Sequence, residues 1–278
     1  MSFAPDRLPE DLAEAEAYYV LDARDGDTAR YRSTVHAQGA WNPGEQHMAP
    51  ATGLLVHELE RFQAREGLRI VRVSLDILGL IPGGGFTVTT RMVRPGRRIE
   101  LIEATLEAHG RTSIVARAWR LATGDTSAVA HVQEPSIPGP EKCVERELSA
   151  RWPGGYIASL TGLGDPASGG GQGTAWLSND LEMVDGEETT PLVRLLGMVD
   201  TANGVAPRLD PRAWAFPNVD LQIHLFRAPI GRRLGLRVLQ SVGEDGVGLT
   251  SSVLHDEQGP FGRAEQILTV REQAATSR

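Results

Sequence analysis

Two stretches of this sequence pass through the same order of elements, and that order limits the fold more than any single motif does. Near the N-terminus, AYYVLD alternates towards a turn at ARDGD and TARYRSTVHAQGAW returns from it, the signature of a hairpin. After Pro50, ATGLLVHELERF carries Leu54, Leu55, Leu59 and Phe62 at helical spacing. Four strand-like segments follow, LRIVRVSLDILGLIP, GGFTVTTRMVRPG, RRIELIEATLEAHG and RTSIVARAWRLA, parted by Gly or Pro. The second half repeats the series: GGYIASLTGLG, a glycine-rich turn DPASGGGQG, TAWLSNDLEMV, a helix from Thr190-Pro191, then four more strands. Direct identity between the halves is faint, and Val73–Ile77 against Val219–Ile223 is the best local match. Between them periodicity fades and Pro and Gly gather, which is linker chemistry. The expected division is 1–134, a linker over 135–152, and 153–278.

A unit of two strands, one long helix and four meandering strands has a simple solution. The antiparallel sheet curls around the helix, so that each covers the other's apolar face. This is the hotdog arrangement, and the chain is expected to be α+β, a tandem (double) hotdog. The alternative is two unrelated α+β domains of similar size. Tandem units can pair their sheets edge to edge or face to face and leave a cleft between the copies. GVGLTSSVL and TVTTRMV are expected as exposed strands whose edges serve association with further chains.

Charge and cysteine usage exclude several functions. Net charge is −8 and the arginines are scattered, so the basic stripe that nucleic acid requires is missing. No apolar run reaches bilayer-spanning length and the start is acidic rather than a leader, which predicts a cytoplasmic protein without membrane insertion. The single cysteine, Cys143, excludes a disulfide framework and a multi-cysteine metal site. His47 and His57 flank the first helix without a third ligand at metal spacing, and HELER is not the two-histidine zinc helix. There is no G-x-S-x-G elbow. The runs GGGQG and PGGGF read as turns, and His224 and His255 as structural strand histidines.

Asp200, in LLGMVDTANG, interrupts a run that otherwise reads as a buried helix face. Thr190 before Pro191 starts that helix, since threonine caps free amides and proline suits the first turn. Leu192, Leu195, Leu196 and Val199 form its apolar stripe, Arg194 points away, and Asp200 lies on the flank, at least half buried. A buried carboxylate needs partners or its pKa rises, and a raised pKa suits a general base; an ion pair or a loop cap is the competing reading. On the last strand Ala264, Gln266, Leu268 and Val270 share a face, so Gln266 places an amide in an apolar row, where a water shared with Asp200 would satisfy both groups. Alternation puts Asn218 on the face opposite Val219, Leu221 and Ile223, and only a bend after Pro217 or a site between subunits brings it to such a water.

The segments QGAWNPGEQHMAPATGLLVHELE, RMVRPGRRIELIEATL, RAWRL, LVRLLGMVDTANG, FPNVDLQIHLFR and SVLHDEQGPFGRAEQ together resemble the acyl-CoA thioesterase II type of double-hotdog protein, in an actinobacterial thioesterase-like branch. The resemblance runs from about Tyr18 to Val270. It implies hydrolysis of a fatty or related acyl-CoA, by a water activated without metal or redox cofactor, in a homodimer or higher homo-oligomer. It also implies site residues: the family's helix Asp falls on Asp200, its last-strand Gln on Gln266 and its hydroxyl position on Asn218. Asn218 is a departure, because an amide holds a water but cannot relay a proton. EQHMAPA departs from the family's glycine-rich helix entry. Backbone amides at the first helix start, around Ala51 to Gly53, are expected to meet the oxyanion. Arg232 and Arg233, or the turn from Arg94 to Arg98, are candidates for coenzyme A phosphates against a reading as solvated arginines. The rivals are a non-catalytic acyl-thioester binder and an enoyl-thioester hydratase. The hydratase would place an Asp and a His together at a helix entry, which TTPLVRLLGMVD does not offer.

Overall fold

The computed structural model describes residues 7–273, so the outermost parts of both expected units, 1–6 and 274–278, lie outside the described residues. The first unit opens with the hairpin β1 (Ala17–Asp25) and β2 (Thr28–Ser33). Helix α1 (Met48–Arg61) follows, then β3 (Leu68–Ile77), β4 (Gly85–Arg94), β5 (Ile99–Ala108) and β6 (Arg111–Ala122). The second unit contains β7 (Val144–Arg146), α2 (Gly155–Ala158), β8 (Thr161–Gly164), β9 (Gln172–Ser178) and β10 (Glu182–Val184). Next come α3 (Pro191–Leu196), a 3-10 turn at Val199–Thr201, α4 (Ala202–Val205) and β11 (Trp214–Ala215). The chain continues with β12 (Asp220–Leu225), β13 (Arg233–Val242), β14 (Val247–Asp256), β15 (Gly259–Thr269) and β16 (Arg271–Glu272), which pairs with β11.

The repetition expected from the sequence is written into the sheet. The first unit has the strand order β1-β2-β4-β5-β6-β3, and the second carries the equivalent order outward from β12: β12-β15-β14-β13-β9-β8. The units meet edge to edge where β3 pairs antiparallel with β12, Val73 opposite Ile223 and Leu75 opposite Leu221, completing a 14-stranded sheet. The best-matching segments of the two halves are therefore the strands that pair across the join. Strands β4 and β14, expected at edges, lie inside the sheet; its ends are β10, parallel to β1, and β7. Apolar runs bounded by turns cannot by themselves tell an inner strand from an outer one.

Helix α1 packs against β3, β4, β5 and β10, and its residues from Met48 to Leu59 are all buried. Leu54, Leu55 and Leu59 alone contribute roughly 1.5–3 kcal/mol each by leaving water. The second helix is not the single long one expected. Gly197 follows α3, and Thr201 Oγ1 bonds back to the carbonyl of Met198 at 2.6 Å, so the axis breaks into two short helices around a 3-10 turn that carries Asp200. Arg194 does not reach solvent: it is buried and donates to the carbonyls of Asn179 and Leu181 and to the Glu182 carboxylate.

The Pro-rich connection lies on the second unit. Glu134 accepts from Arg237 at 2.6 Å, Trp176 Nε1 donates to Pro138 O at 2.8 Å, and β7 adds a strand beside β8. Among the described residues no helix is long and apolar enough to cross a membrane.

Candidate active site

Three side chains from three elements converge on one carboxylate. Asp200, in the 3-10 turn, is 6% exposed, and its Oδ1 accepts from Asn218 Nδ2 at 2.8 Å and from Gln266 Nε2 at 2.9 Å. Gln266 points inward with Ala264 and Leu268, as the two-residue period of β15 requires. Asn218 reaches the same point through a bend. The partner register shifts by one residue between Asn218 opposite Leu268 and Gln222 opposite Glu265, and a one-residue shift moves a side chain to the other face. Asp220 sits in the gap, its Oδ1 accepting from Ile267 N at 2.8 Å in place of a ladder carbonyl. Val219 is consequently exposed, whereas Leu221 and Ile223 are buried.

The other oxygen, Oδ2, has no hydrogen-bond donor among the described residues. Nδ1 of His47 lies 3.5 Å from it. His47 caps α1: its Nδ1 accepts from the backbone amide of Ala49 at 3.0 Å. A nitrogen that accepts a hydrogen bond carries no proton, so the imidazole is neutral, with its hydrogen on Nε2, and the His47–Asp200 contact is not an ion pair. Burial agrees with this, pushing His47 down to about 4. It also pushes Asp200 up to about 6, against the pull of the Asn218 and Gln266 amides on its charged form.

The entry to α1 is positioned by the WPGG segment of the second unit. Gly154 adopts a φ of 109°, and a Cβ on Gly155 would lie 1.9 Å from Val35 O. This close approach seats Tyr156 beside His47, ring centres 4.7 Å apart, with its hydroxyl donating to Gly197 O at 2.7 Å. Helices α1 and α3 come equally close: a Cβ on Gly53 would fall 3.1 Å from Gly197 Cα and 2.2 Å from Met183 Cε.

Asp200, Asn218 and His47 line a cavity of about 520 Å³, the size of a small-ligand site. Its walls are apolar at Ile157, Leu160, Leu163 and Leu177; Trp41, Trp152 and Phe216 line it in mutual edge-to-face contact, and Arg146 and Arg151 stand among its polar lining. Trp41 and His47 come from the first unit, so both units build the cavity.

Not every expected residue is there. The free amides at the head of α1 belong to Met48 and Ala49; Ala51 lies a turn in, where its amide bonds within the helix. Ala51 and Gly53 are fully buried or packed on a helix neighbour, so neither meets an oxyanion from that position. Arg233 starts β13 and Arg232 precedes it, both outside the cavity lining, with Arg232 Nη2 3.8 Å from the exposed Asp180. Arg94, at the end of β4, donates to Ile99 O and lies over Trp119, and the turn from Arg94 to Arg98 does not line the cavity. Among the described residues no group of three or more His, Cys, Asp or Glu side chains gathers as a metal site. Tyr156, Arg146 and Arg151 are not among the residues expected from the sequence, and His47 enters there only as a metal ligand to be excluded. For His47 a signal was present: a polar residue directly before an M-A-P helix entry occupies a cap position.

Comparison with known proteins decides the family. A model of the acyl-CoA thioesterase C-terminal domain matches residues 132–270, and one of the N-terminal domain matches 37–121. The chain belongs to the acyl-CoA thioesterase family. Among solved structures, this thioesterase resembles acyl-CoA thioesterase II TesB2 from Mycobacterium marinum at 14% identity and a TM-score of 0.67, over 91% of this chain and 96% of that one. It resembles a conserved protein with a hotdog fold from Alicyclobacillus acidocaldarius at 12% identity and 0.72, over 91% and 96%. The CurK dehydratase shares the fold more distantly, at 16% identity and 0.52, over 93% and 98%. No curated protein sequence matches the chain. The tandem hotdog is therefore common to enzymes of different chemistry, and it is the family match that makes this chain an acyl-CoA thioester hydrolase.

Proposed function

We propose that this thioesterase hydrolyses its acyl-CoA by direct attack of a water held at Asp200 Oδ2, with no acyl-enzyme. The division of labour between the two carboxylate oxygens carries this reading. Oδ1 is tied by Asn218 and Gln266, while Oδ2 has no donor among the described residues and Asp200 lines the cavity, which leaves Oδ2 to accept a proton from water. As that proton moves to Oδ2, the water oxygen bonds to the thioester carbon. The tetrahedral intermediate then collapses, the carbon–sulfur bond breaks, and the departing sulfur takes the proton from Asp200. A base poised near pH 6 suits this exchange, since it is ionised at neutral pH yet holds the proton when required. Asn218 orients Asp200 by donating to it, a task that an amide performs as well as a hydroxyl. The apolar walls take the acyl chain, and Arg146 and Arg151 face the coenzyme A phosphates.

Release of free thiol from a panel of acyl-CoAs, with Asp200→Ala beside the parent, tests the assignment. Loss of turnover by orders of magnitude, with acyl-CoA still bound, is expected. Turnover that survives the substitution overturns it. The hydratase reading draws support from one observation, a His and an Asp brought together at a helix entry from opposite units. The proton positions oppose it. A histidine that removes a substrate proton needs a free ring lone pair in the cavity, and the Nδ1 lone pair of His47 is already engaged by Ala49.

A further inference from the structure

His47 has one ring nitrogen left over. Nδ1 accepts from Ala49, which leaves the hydrogen on Nε2, and Nε2 has no acceptor among the described residues. The side chain keeps 15% of its surface exposed and lines the cavity that holds Asp200. Tyr156 packs against the ring at a tilt of 39° and the cap bond holds Nδ1, which restrains the rotation of this donor. At the α1 entry the amide of Ala49 is spent on Nδ1, residue 50 is a proline with no amide, and Ala51 bonds within the helix, which leaves the amide of Met48 as the one backbone donor beside His47.

We propose that the Nε2–H of His47 is the oxyanion donor of this thioesterase: it bonds to the thioester carbonyl oxygen and strengthens that bond as the water held by Asp200 attacks. The proposal rests on the hydrolytic role given to Asp200 above. Electrons leaving the carbonyl double bond collect on an oxygen that His47 already faces. When the intermediate collapses they return to re-form the double bond, and the carbon–sulfur bond breaks. His47 stays protonated on Nε2 throughout and exchanges no proton. A neutral imidazole suits this task, because burial at a helix N-terminus opposes an imidazolium, whereas the uncharged ring still polarises a carbonyl. EQHMAPA, a departure from the glycine-rich entry expected by resemblance, thereby puts a side-chain donor beside the one free backbone amide, that of Met48.

The test separates this role from capping. His47→Asn keeps an N-cap acceptor for Ala49 at the Nδ1 position but places its N–H groups where the ring had Cδ2, short of the Nε2 position, and His47→Phe keeps the ring on Tyr156 but loses both functions. Thiol release is measured for both variants, with Asp200→Asn in parallel and melting temperatures recorded. Expected are a fall in kcat of about 10²–10³ for each His47 variant, as for loss of an oxyanion-hole donor, with KM little changed. His47→Asn should melt near the parent. Full kcat in His47→Asn would reduce His47 to a cap and overturn the proposal while leaving Asp200 in place. Full activity in Asp200→Asn would remove the hydrolytic reading and this proposal with it. A second acidic limb in the pH profile that vanishes in the His47 variants, together with hydration of an enoyl-CoA, would mark a histidine base and also overturn it.

Discussion

Replacing Gln266 by Leu should move the pH dependence of hydrolysis without abolishing it. The amide of Gln266 donates to Asp200 Oδ1 at 2.9 Å and is 1% exposed, so the ionised carboxylate loses one of its two side-chain donors and gains no water in exchange. Hydrogen bonds to charged groups contribute about 1.5–3 kcal/mol. At about 1.36 kcal/mol per pKa unit, the loss corresponds to roughly 1–2 units. A donor favours the charged form, so its removal raises the Asp200 pKa further, from about 6 towards 7 or 8. The acidic limb of kcat/KM, followed by thiol release between about pH 5 and 9, should move up by that amount. At the alkaline end much of the activity should return, because the base is still present and is intrinsically stronger. A limb that stays near pH 6 while activity falls equally at every pH would refute the reasoning. Asp200 would then not be the group that titrates, or Gln266 would act on the substrate instead.

Three further outcomes follow from the same packing. Asp200→Asn should cost about 10³-fold or more in kcat yet stabilise the fold at pH 8. A carboxylate whose pKa is raised on folding opposes folding above its ordinary pKa, here by up to about 3 kcal/mol, so denaturant melts should show a gain at pH 8 that vanishes below about pH 4. Gly53→Ala should destabilise by about 1–3 kcal/mol in urea melts, because its Cβ meets Met183 Cε and Gly197 Cα where α1 crosses α3; a neutral result would show that Met183 swings aside freely. Glu58→Gln should lower stability while leaving kcat near the parent value. Burial raises the pKa of Glu58, but donors from Arg24 and Tyr31 outweigh it and hold the carboxyl below the usual range. Its contribution is therefore present at neutral pH and lost as pH falls through that lowered value, which acid melts of parent and variant would show.

The architecture could be read from the order of elements because both units obey one period scheme, and burial in the sheet preserved it. The parity argument for Gln266 rested on a regular strand and agrees with its inward position. For Asn218 the same argument pointed outward, because the register shift beside Asp220 inverts the alternation at that place only. Ala51 and Gly53, expected at the helix start, lie inside α1. Pro50 was read as marking the helix start, yet proline is tolerated throughout the first turn, and α1 begins at Met48. As a metal ligand His47 is excluded by the lack of a third ligand at metal spacing, and no local pattern announces its contact with Asp200, which lies in the other unit 153 residues away. The early break in α3 was equally hidden, resting on Gly197 and a hydroxyl that bonds back to the helix.

The duplicated sheet has a consequence for the site. His47 is the residue before α1, and Thr190 holds the same place before α3. Ten residues on from these stand His57 and Asp200, each near the head of the other unit's helix. One such corner is the cavity with Asp200. At the other, Glu58 is clasped by Arg24 and Tyr31, His57 Nε2 lies 3.2 Å from Glu187, and Thr190 donates to Glu60 at 2.7 Å. Two identical hotdogs must keep both corners alike, since one gene writes both. A chain that carries both copies in one reading frame can spend one corner on chemistry and the other on cohesion, and each is then free to drift towards its own optimum.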